Sequence, residues 1–300
     1  MDEAFPKRFG KATAGKAQVP HIFAAAQCRL WFHAAMKKQP IVITGKIRLK
    51  DFDPSFCGGL DKEQTKGKTA EYGQRIGDLQ QLLYANARHA VLLIFQGMDA
   101  SGKDGAVRSV LQFVSPAGIE AANFKVPSEE ERAHDYLWRV HKVVPRSGNI
   151  GVFNRSHYEA VLAERVLEIA PTMVWSQRYD QIVAFERMLA ENNVLVLKFC
   201  LHLSKKEQAE RLQERLANPH KNWKFSHDDL KTRQQWDDYV DAYEDMLNRT
   251  SHQHARWHLI PADRNWYRDH IVALTVVRAM EALKMKWPKP KEDLSKIRVV

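Results

Sequence analysis

Cysteine is scarce in this chain: three in 300 residues, at Cys28, Cys57 and Cys200, far apart and odd in number. That excludes a disulfide framework and a CxxC metal knuckle, and it fits a reducing, cytoplasmic compartment. No run approaches eighteen consecutive apolar residues, so no membrane span is expected. The start, MDEAFPKRFG, is acidic and then basic with no apolar stretch behind it, so no signal peptide is expected either. Internal repeats and low-complexity tracts are missing. No His/Cys/Asp cluster has zinc spacing, and there is no G-x-S-x-G nucleophile elbow. Negative charge is in short supply: 36 Asp and Glu face 46 Lys and Arg, for a formal net charge of +10. The excess calls for a polyanionic partner without saying which. What is present is ordinary globular composition, 44% hydrophobic and 27% charged, in a chain long enough for a substantial core.

Residues 1–50 are basic and broken by Gly and Pro, with a short basic amphipathic helix expected at 21–38 that either docks on the main body or binds a membrane surface. Residues 1–44 read as an unassigned N-terminal extension, with a packing role of its own or as a non-native start. Residues 51–68 read as a loop. From residue 69 the pattern changes. The run AVLLIFQG (90–97) is short, β-rich and unalternating, as a strand buried on both faces requires. Comparable runs follow at 123–126, 149–154, 194–203 and 257–262. Helical patterns are expected at 70–87, 103–114, 129–143, 157–168, 176–192, 205–217, 228–248 and 267–285. Strands alternating with helices predict an α/β domain with a parallel sheet covered on both faces.

The first strand runs into Gly97-Met98-Asp99-Ala100-Ser101-Gly102-Lys103-Asp104, a G-x-x-x-x-G-K loop between strand and helix. Glycines let the backbone curl so that its N–H groups cradle phosphate, and the helix adds its positive end. Lys103 supplies a mobile charge for a transferring phosphoryl group. The Ser or Thr that usually follows this lysine and binds Mg²⁺ is Asp104 here. A second acid, Asp99, sits inside the loop, where it repels phosphate unless it binds metal or takes a proton. We therefore read Asp99 as Mg²⁺ ligand or general base. Asp104 is either a second metal ligand or a carboxylate stabilising the first helical turn.

A later strand runs into Phe153-Asn154-Arg155-Ser156-His157-Tyr158-Glu159. Ligands of open parallel sheets sit at strand C-terminal ends, and Arg155 there can offer a planar fork to the same phosphates. Asn154 can orient a hydrated ion through water. Glu159 is either a site residue or the acid of a capping box begun by Ser156. His157 is expected to pack. Residues 204–248 read as helix, break at Asn218-Pro219, and helix. Trp236, Tyr239, Tyr243 and Met246 recur at core spacing. Lys205, Lys206, Arg211, Arg215, Lys221 and Lys224 make the first helix and the break either a basic lid over the loop or a solvated basic face with Glu207, Glu210 and Glu214 as partners.

The segments GMDASGKDG, PSEEERAHDYLWRVHKVVP, FNRSHYE, KNWKFSHDDLKTRQQWDDYVDAYEDML and IPADRNWYRDHIVA together resemble polyphosphate kinase family 2 over roughly residues 45–287. FNRSHYE is similar to the branch usually called class III, which acts on both nucleoside mono- and diphosphates. The resemblance implies a P-loop kinase fold of the thymidylate kinase type: five parallel strands, helices on both faces, a helical lid at about 204–230, and a C-terminal tail at 288–300. It implies transfer of the terminal phosphoryl group of inorganic polyphosphate to AMP or ADP, or guanine equivalents, with Mg²⁺ or in its place Mn²⁺. Asp99, Lys103 and Arg155 would be catalytic, with Asp99 and Asp104 toward metal. Gly97, Ser101, Gly102, Arg108, Arg165, Arg211, Arg215, Lys221 and Lys224 would hold phosphate or the polyphosphate chain. Asn154 and Glu159 would face the nucleotide. A homo-oligomer, dimer or tetramer, is expected, with no nucleic acid or membrane partner. The alternatives are an ATP-dependent P-loop kinase of a nucleotide or other small molecule, and a nucleic-acid-binding protein.

Overall fold

The computed structural model describes residues 42–299. The extension, the amphipathic helix expected at 21–38 and Cys28 lie outside them, apart from the last residues of the extension. Val42 bridges His258, and Ile43 N–H donates to the Trp257 carbonyl at 2.8 Å. The folded body thus takes in Val42 and Ile43, ahead of residue 45.

Helix α1 (Lys62–Asn86) leads to β1 (Ala90–Gly97), the phosphate loop and α2 (Lys103–Leu111). Then come β2 (Ile119–Asn123), the short helices α3 (Glu129–Ala133) and α4 (Trp138–His141), and β3 (Ile150–Asn154). A 3₁₀ turn (His157–Ala160), α5 (Ala163–Val166) and α6 (Thr172–Glu191) precede β4 (Val194–His202). The chain finishes with α7 (Lys205–Ala217), α8 (His227–Gln234), α9 (Trp236–Thr250), β5 (Trp257–Pro261) and α10 (Asn265–Ala282). Among the described residues five strands form one sheet, all pairs parallel, in the order β2-β3-β1-β4-β5.

β1 is buried at every position. Its side chains alternate faces, Leu92 and Ile94 entering one apolar layer with α6 and α9, and Val91, Leu93 and Phe95 the other with α1, α2 and α10. That is why the run carries no polar alternation: neither face meets water. Burying each such side chain contributes about 1.5–3 kcal/mol. All five strands point the same way, so the loops after β1, β3 and β4 gather at one edge of the sheet.

Several expected boundaries move. α1 begins at Lys62, capped by Asp61, whose side chain accepts from Gln64 N at 2.9 Å. Its first turns are polar and half open, so they lack the periodicity that marks a helix. β2 lies at 119–123, upstream of the expected 123–126. It is a partly exposed edge strand, IEAAN, without an apolar run, while buried Phe124 follows it. The span 129–143 holds two short helices, 157–168 a 3₁₀ turn and one helical turn, and 228–248 two helices broken at Gln235. Ser128 and Ser226 each begin a capping box, whereas Ser156 accepts from Tyr158 N rather than pairing with Glu159.

Candidate active site

The loop after β1 is shaped by its backbone. Gly97 has φ +155°, and a Cβ there would stand 2.8 Å from both the Leu201 carbonyl oxygen and Ser101 Oγ. Ala100 is left-handed (φ 62°), a conformation that costs a residue with a Cβ and tends to persist where the surroundings fix it. Ser101 is fully buried: its N–H closes the turn onto Met98 O at 3.1 Å, and its Oγ has no hydrogen-bond partner. Its hydroxyl is thus enclosed by the turn that its backbone closes. Lys103 opens α2 and folds back over the loop, Nζ donating to Gly97 O (2.6 Å) and Met98 O (3.2 Å). Burial lowers its pKa, and the Asp99 carboxylate pulls the other way.

β3 delivers Arg155 to the same place. Its N–H donates to Phe95 O at 3.2 Å, its backbone is left-handed (φ 60°), and Nη2 meets Asp99 Oδ1 at 2.9 Å. Burial opposes its charge, but Glu159 and Asp99 outweigh this and hold its pKa above the ordinary value. Glu159 sits behind it. With the Gln96 amide turned to satisfy its neighbours, Gln96 donates to Glu159 Oε1 at 3.1 Å and accepts from Ser156 N. Burial raises the Glu159 pKa against the pull of Arg155 and Lys103. Asn154 Nδ2 donates to Asp104 Oδ1 at 2.7 Å, joining the end of β3 to the first turn of α2.

α7, the 3₁₀ turn Asn222–Lys224 and α8 form a basic hairpin resting on this loop. Gln208 Nε2 donates to Asp99 O (3.0 Å), and Lys224 Nζ lies 3.8 Å from Asp104 Oδ2. The basic residues divide in use. Arg211 spends its donors on Glu207 (2.8 Å) and on the carbonyls of Ala100 (3.0 Å), Ala262 (2.7 Å) and Asp263 (3.0 Å). It pins the base of the hairpin to the loop instead of offering a free fork to a chain. Arg215 pairs with Asp229 (3.0 Å) and Lys224 O (3.3 Å), and Lys221 with Glu214 (2.5 Å). Arg108 is exposed on α2. Arg165 falls elsewhere: it pairs with Asp245 (2.6 Å) and Tyr179 OH (3.1 Å) and stacks on Trp175, lining a cleft among α5, α6 and α9. Its donors are thus shared between Asp245 and Tyr179 within that cleft.

Sequence reasoning missed Gln208 and Asp229. Asp229 faces Asp99, Arg155 and Arg215; burial and then Asp99 raise its pKa. Tyr239 and Tyr243 are buried as their helical spacing requires, yet their hydroxyl ends lie within electrostatic reach of Arg155, Asp99 and Glu159. Burial pushes Tyr239 to about 12. A helical stripe shows which residues face inward, not which hydroxyls end beside the loop.

The donor set suits a divalent cation of the hard kind. Among the described residues no three His, Cys, Asp or Glu side chains cluster as a ready cage. An ion held mainly by phosphate oxygens and water needs only one or two carboxylates. Asp99, 18% exposed at its side chain, and Asp104, 65% exposed, stand on the loop to supply them.

A parallel sheet with a lysine-bearing loop at its C-terminal edge, an arginine from the neighbouring strand and a basic helical hairpin above define a P-loop kinase. Comparison with known proteins narrows the class. The sequence model of polyphosphate kinase 2 (PPK2) matches residues 59–288, and the chain belongs to that family. It is 48% identical over 266 residues to the AMP/ADP-polyphosphate phosphotransferase of Meiothermus ruber, covering 87% of this chain and 99% of that protein. It is also 48% identical over 228 residues to the ADP-polyphosphate phosphotransferase of Rhodopseudomonas palustris, covering 72% and 79%. The crystal structure of polyphosphate kinase 2 from Arthrobacter aurescens TC1 superposes with a TM-score of 0.82 at 38% identity, over 85% of this chain and 92% of that one.

Proposed function

We propose that this enzyme moves the terminal phosphoryl group of inorganic polyphosphate to AMP and to ADP, giving ADP and ATP. The observation that carries the reading is the meeting of Lys103, Arg155 and Asp99 at the loop mouth under a basic hairpin. Its relatives' names support the donor and both acceptors, and FNRSHYE supports the use of mono- and diphosphates alike. Guanine nucleotides fit the same phosphate chemistry.

An oxygen of the nucleotide's terminal phosphate attacks the end phosphorus of polyphosphate. The new P–O bond forms as the bridging P–O bond behind it breaks, and the shortened chain leaves with the bridging electrons. Lys103 releases the loop carbonyls and bonds the phosphoryl in flight. Arg155 neutralises its equatorial oxygens. Asp99 takes any proton the attacking oxygen still carries. Such a reaction needs positioning and charge neutralisation more than covalent help. Mg²⁺, or Mn²⁺ in its place, would be held by Asp99 and Asp104 and would offset charge between donor and acceptor phosphates. Lys221, Lys224, Arg215 and Arg108 supply positive potential for the chain. Asn154 and Glu159 border the acceptor side.

We place the catalytic unit at residues 45–287 with its lid at about 204–230, Val42 and Ile43 packing onto it from the preceding extension and residues 288–300 following it. We read it as a cytoplasmic homo-oligomer, a dimer or tetramer. The scattered cysteines support that compartment, and among the described residues no helix is long and apolar enough to cross a membrane.

Purified protein, Mg²⁺, long-chain polyphosphate and either AMP or ADP test the proposal, with products resolved by chromatography. ATP from ADP, and ADP followed by ATP from AMP, is expected. ATP from ADP alone would restrict the acceptor to diphosphates. No product in either tube, with ATP-dependent transfer found in an acceptor screen, would overturn the donor. Lys103→Ala should lower turnover about 10³-fold, as losing one cation from a phosphoryl-transfer site does, while circular dichroism stays unchanged.

A further inference from the structure

β5 leads into α10 through Ile260-Pro261-Ala262-Asp263-Arg264-Asn265-Trp266-Tyr267-Arg268, and the mechanism above uses none of these side chains. Arg268 lies on the first turn of α10 and is 2% exposed. Nε and Nη2 meet Asp269 Oδ1 at 2.8 and 2.7 Å. Nη1 donates to Asn265 Oδ1 at 2.6 Å and, at a long 3.4 Å, to the carbonyl of Ser101 in the phosphate loop. The guanidinium is thereby oriented by two α10 side chains and packed against the turn 101–105.

The glycines of that turn record the contact. A Cβ on Gly102, which is left-handed (φ +89°), would stand 1.9 Å from Arg268 Nη1; a Cβ on Gly105 would stand 2.7 Å from Nη2. Gly102 is part of the G-x-x-x-x-G-K pattern, but Gly105 lies beyond it, inside α2, where glycine costs about 0.5–1 kcal/mol relative to alanine. Arg268 occupies the volume both side chains would need. The planar, delocalised cation fits flat against backbone in a way a lysine cannot.

We infer that Arg268 is a positioning residue for phosphoryl transfer: it backs the 101–105 turn and holds the Gly102 and Lys103 amides and the start of α2 in the phosphate-binding conformation. It acts through the loop and touches no substrate. The inference rests on the loop being the phosphate site, so wild-type turnover and tripolyphosphate binding by calorimetry are measured alongside every variant. Wild-type protein that binds tripolyphosphate but does not turn over refutes the proposed reaction and leaves this inference to be read from binding.

The test is a cycle of Arg268→Ala and Gly105→Ala, with Arg268→Lys as the conservative variant, all assayed well below their melting temperatures. A loop displaced by about 1 Å loses on the order of 10²-fold in rate, and that fall in kcat is expected for Arg268→Ala with the nucleotide KM little changed. Arg268→Lys should recover part of it. Gly105→Ala pushes the guanidinium without removing it, so it should lower kcat alone and cost far less in the Arg268→Ala background, because interacting sites are not additive. Where Arg268→Ala fails to fold, Gly105→Ala alone carries the test: lowered kcat or weaker tripolyphosphate binding with an unchanged melting temperature is expected. Turnover and binding within twofold of wild type in Arg268→Ala, or in Gly105→Ala where that variant stands alone, would overturn the inference. So would an equal cost of Gly105→Ala in both backgrounds.

Discussion

Glu159 is a carboxylate whose burial outweighs the two cations beside it, so its proton is held more tightly in the folded protein than in the unfolded chain. Its contribution to stability is therefore full below the ordinary carboxylate pKa and is lost as pH rises through the raised folded value. Above that raised value the enzyme carries the cost of an ionised, partly buried Glu159, and in return the charge steadies Arg155. Glu159→Gln should melt higher than wild type at the alkaline end of a pH series, with the gap closing toward pH 4.5, and it should lose turnover. Melting curves across that range check it; parallel curves for the two proteins would refute the assignment of the cost to this carboxylate. The phosphate loop was legible in the sequence because cradling phosphate forces Gly97, Gly102 and Lys103 into fixed spacing. Asp229, Gln208 and the Tyr243 hydroxyl were not, because they reach the loop only through the fold of the hairpin and α9. Arg211 and Arg215 show the same limit: four-residue spacing places both on one helix face, but not which carbonyls wait opposite.

At the level of elements, the hairpin has two kinds of cation. Arg211 is anchored to three backbone carbonyls from two other segments, while Lys224 lies over the Trp223 ring and reaches across to exposed Asp104 at a loose 3.8 Å. Such a surface pair contributes little stability, so Lys224 can change partners when a polyanion arrives. Each cation that meets a phosphate releases counterions and steepens the salt dependence of binding. Lys224→Ala should weaken polyphosphate binding and lower the slope of log K against log salt by about 1. Arg211→Met should instead lower the melting temperature and leave that slope nearly unchanged. Titrations at several salt concentrations separate the two, and an unchanged slope for Lys224→Ala would remove it from the polyphosphate path. The elements themselves were legible to the degree that burial was two-sided. β1 and β4 carry unbroken apolar runs because both faces are covered, whereas β2, an exposed edge, carries none. The first turns of α1 are polar for the same reason, and Gln235 breaks a helix whose periodicity continues on either side.

Across the whole molecule, β4, the turn after β3 and two helices are tied together by a charge in the core. Lys198, in the middle of β4, has no exposed surface, and its Nζ meets Glu186 Oε2 of α6 at 2.6 Å, Tyr158 OH at 2.8 Å and the Thr250 carbonyl at the end of α9 at 2.8 Å. Glu186 Oε1 accepts from Tyr158 OH at 2.8 Å and lies 3.4 Å from His157 Nε2. The network therefore holds the 3₁₀ turn just behind Arg155 against β4, α6 and α9 together. Burial opposes ionisation of Glu186 more than any single neighbour favours it, but Lys198 and His157 together outweigh it and keep the carboxyl below its ordinary range. Removing one member of such a pair leaves an uncompensated buried charge and costs about 3–5 kcal/mol, whereas replacing both with apolar residues is often neutral. Lys198→Met should therefore unfold at a much lower urea concentration than wild type, and Lys198→Met with Glu186→Leu should recover most of the loss. Urea midpoints at unchanged slope measure both. A double variant as unstable as the single would mean that the Tyr158 and Thr250 hydrogen bonds, not the ion pair, hold the turn. A Lys198→Met midpoint equal to wild type would mean that packing around Trp257 and Tyr158 suffices without either.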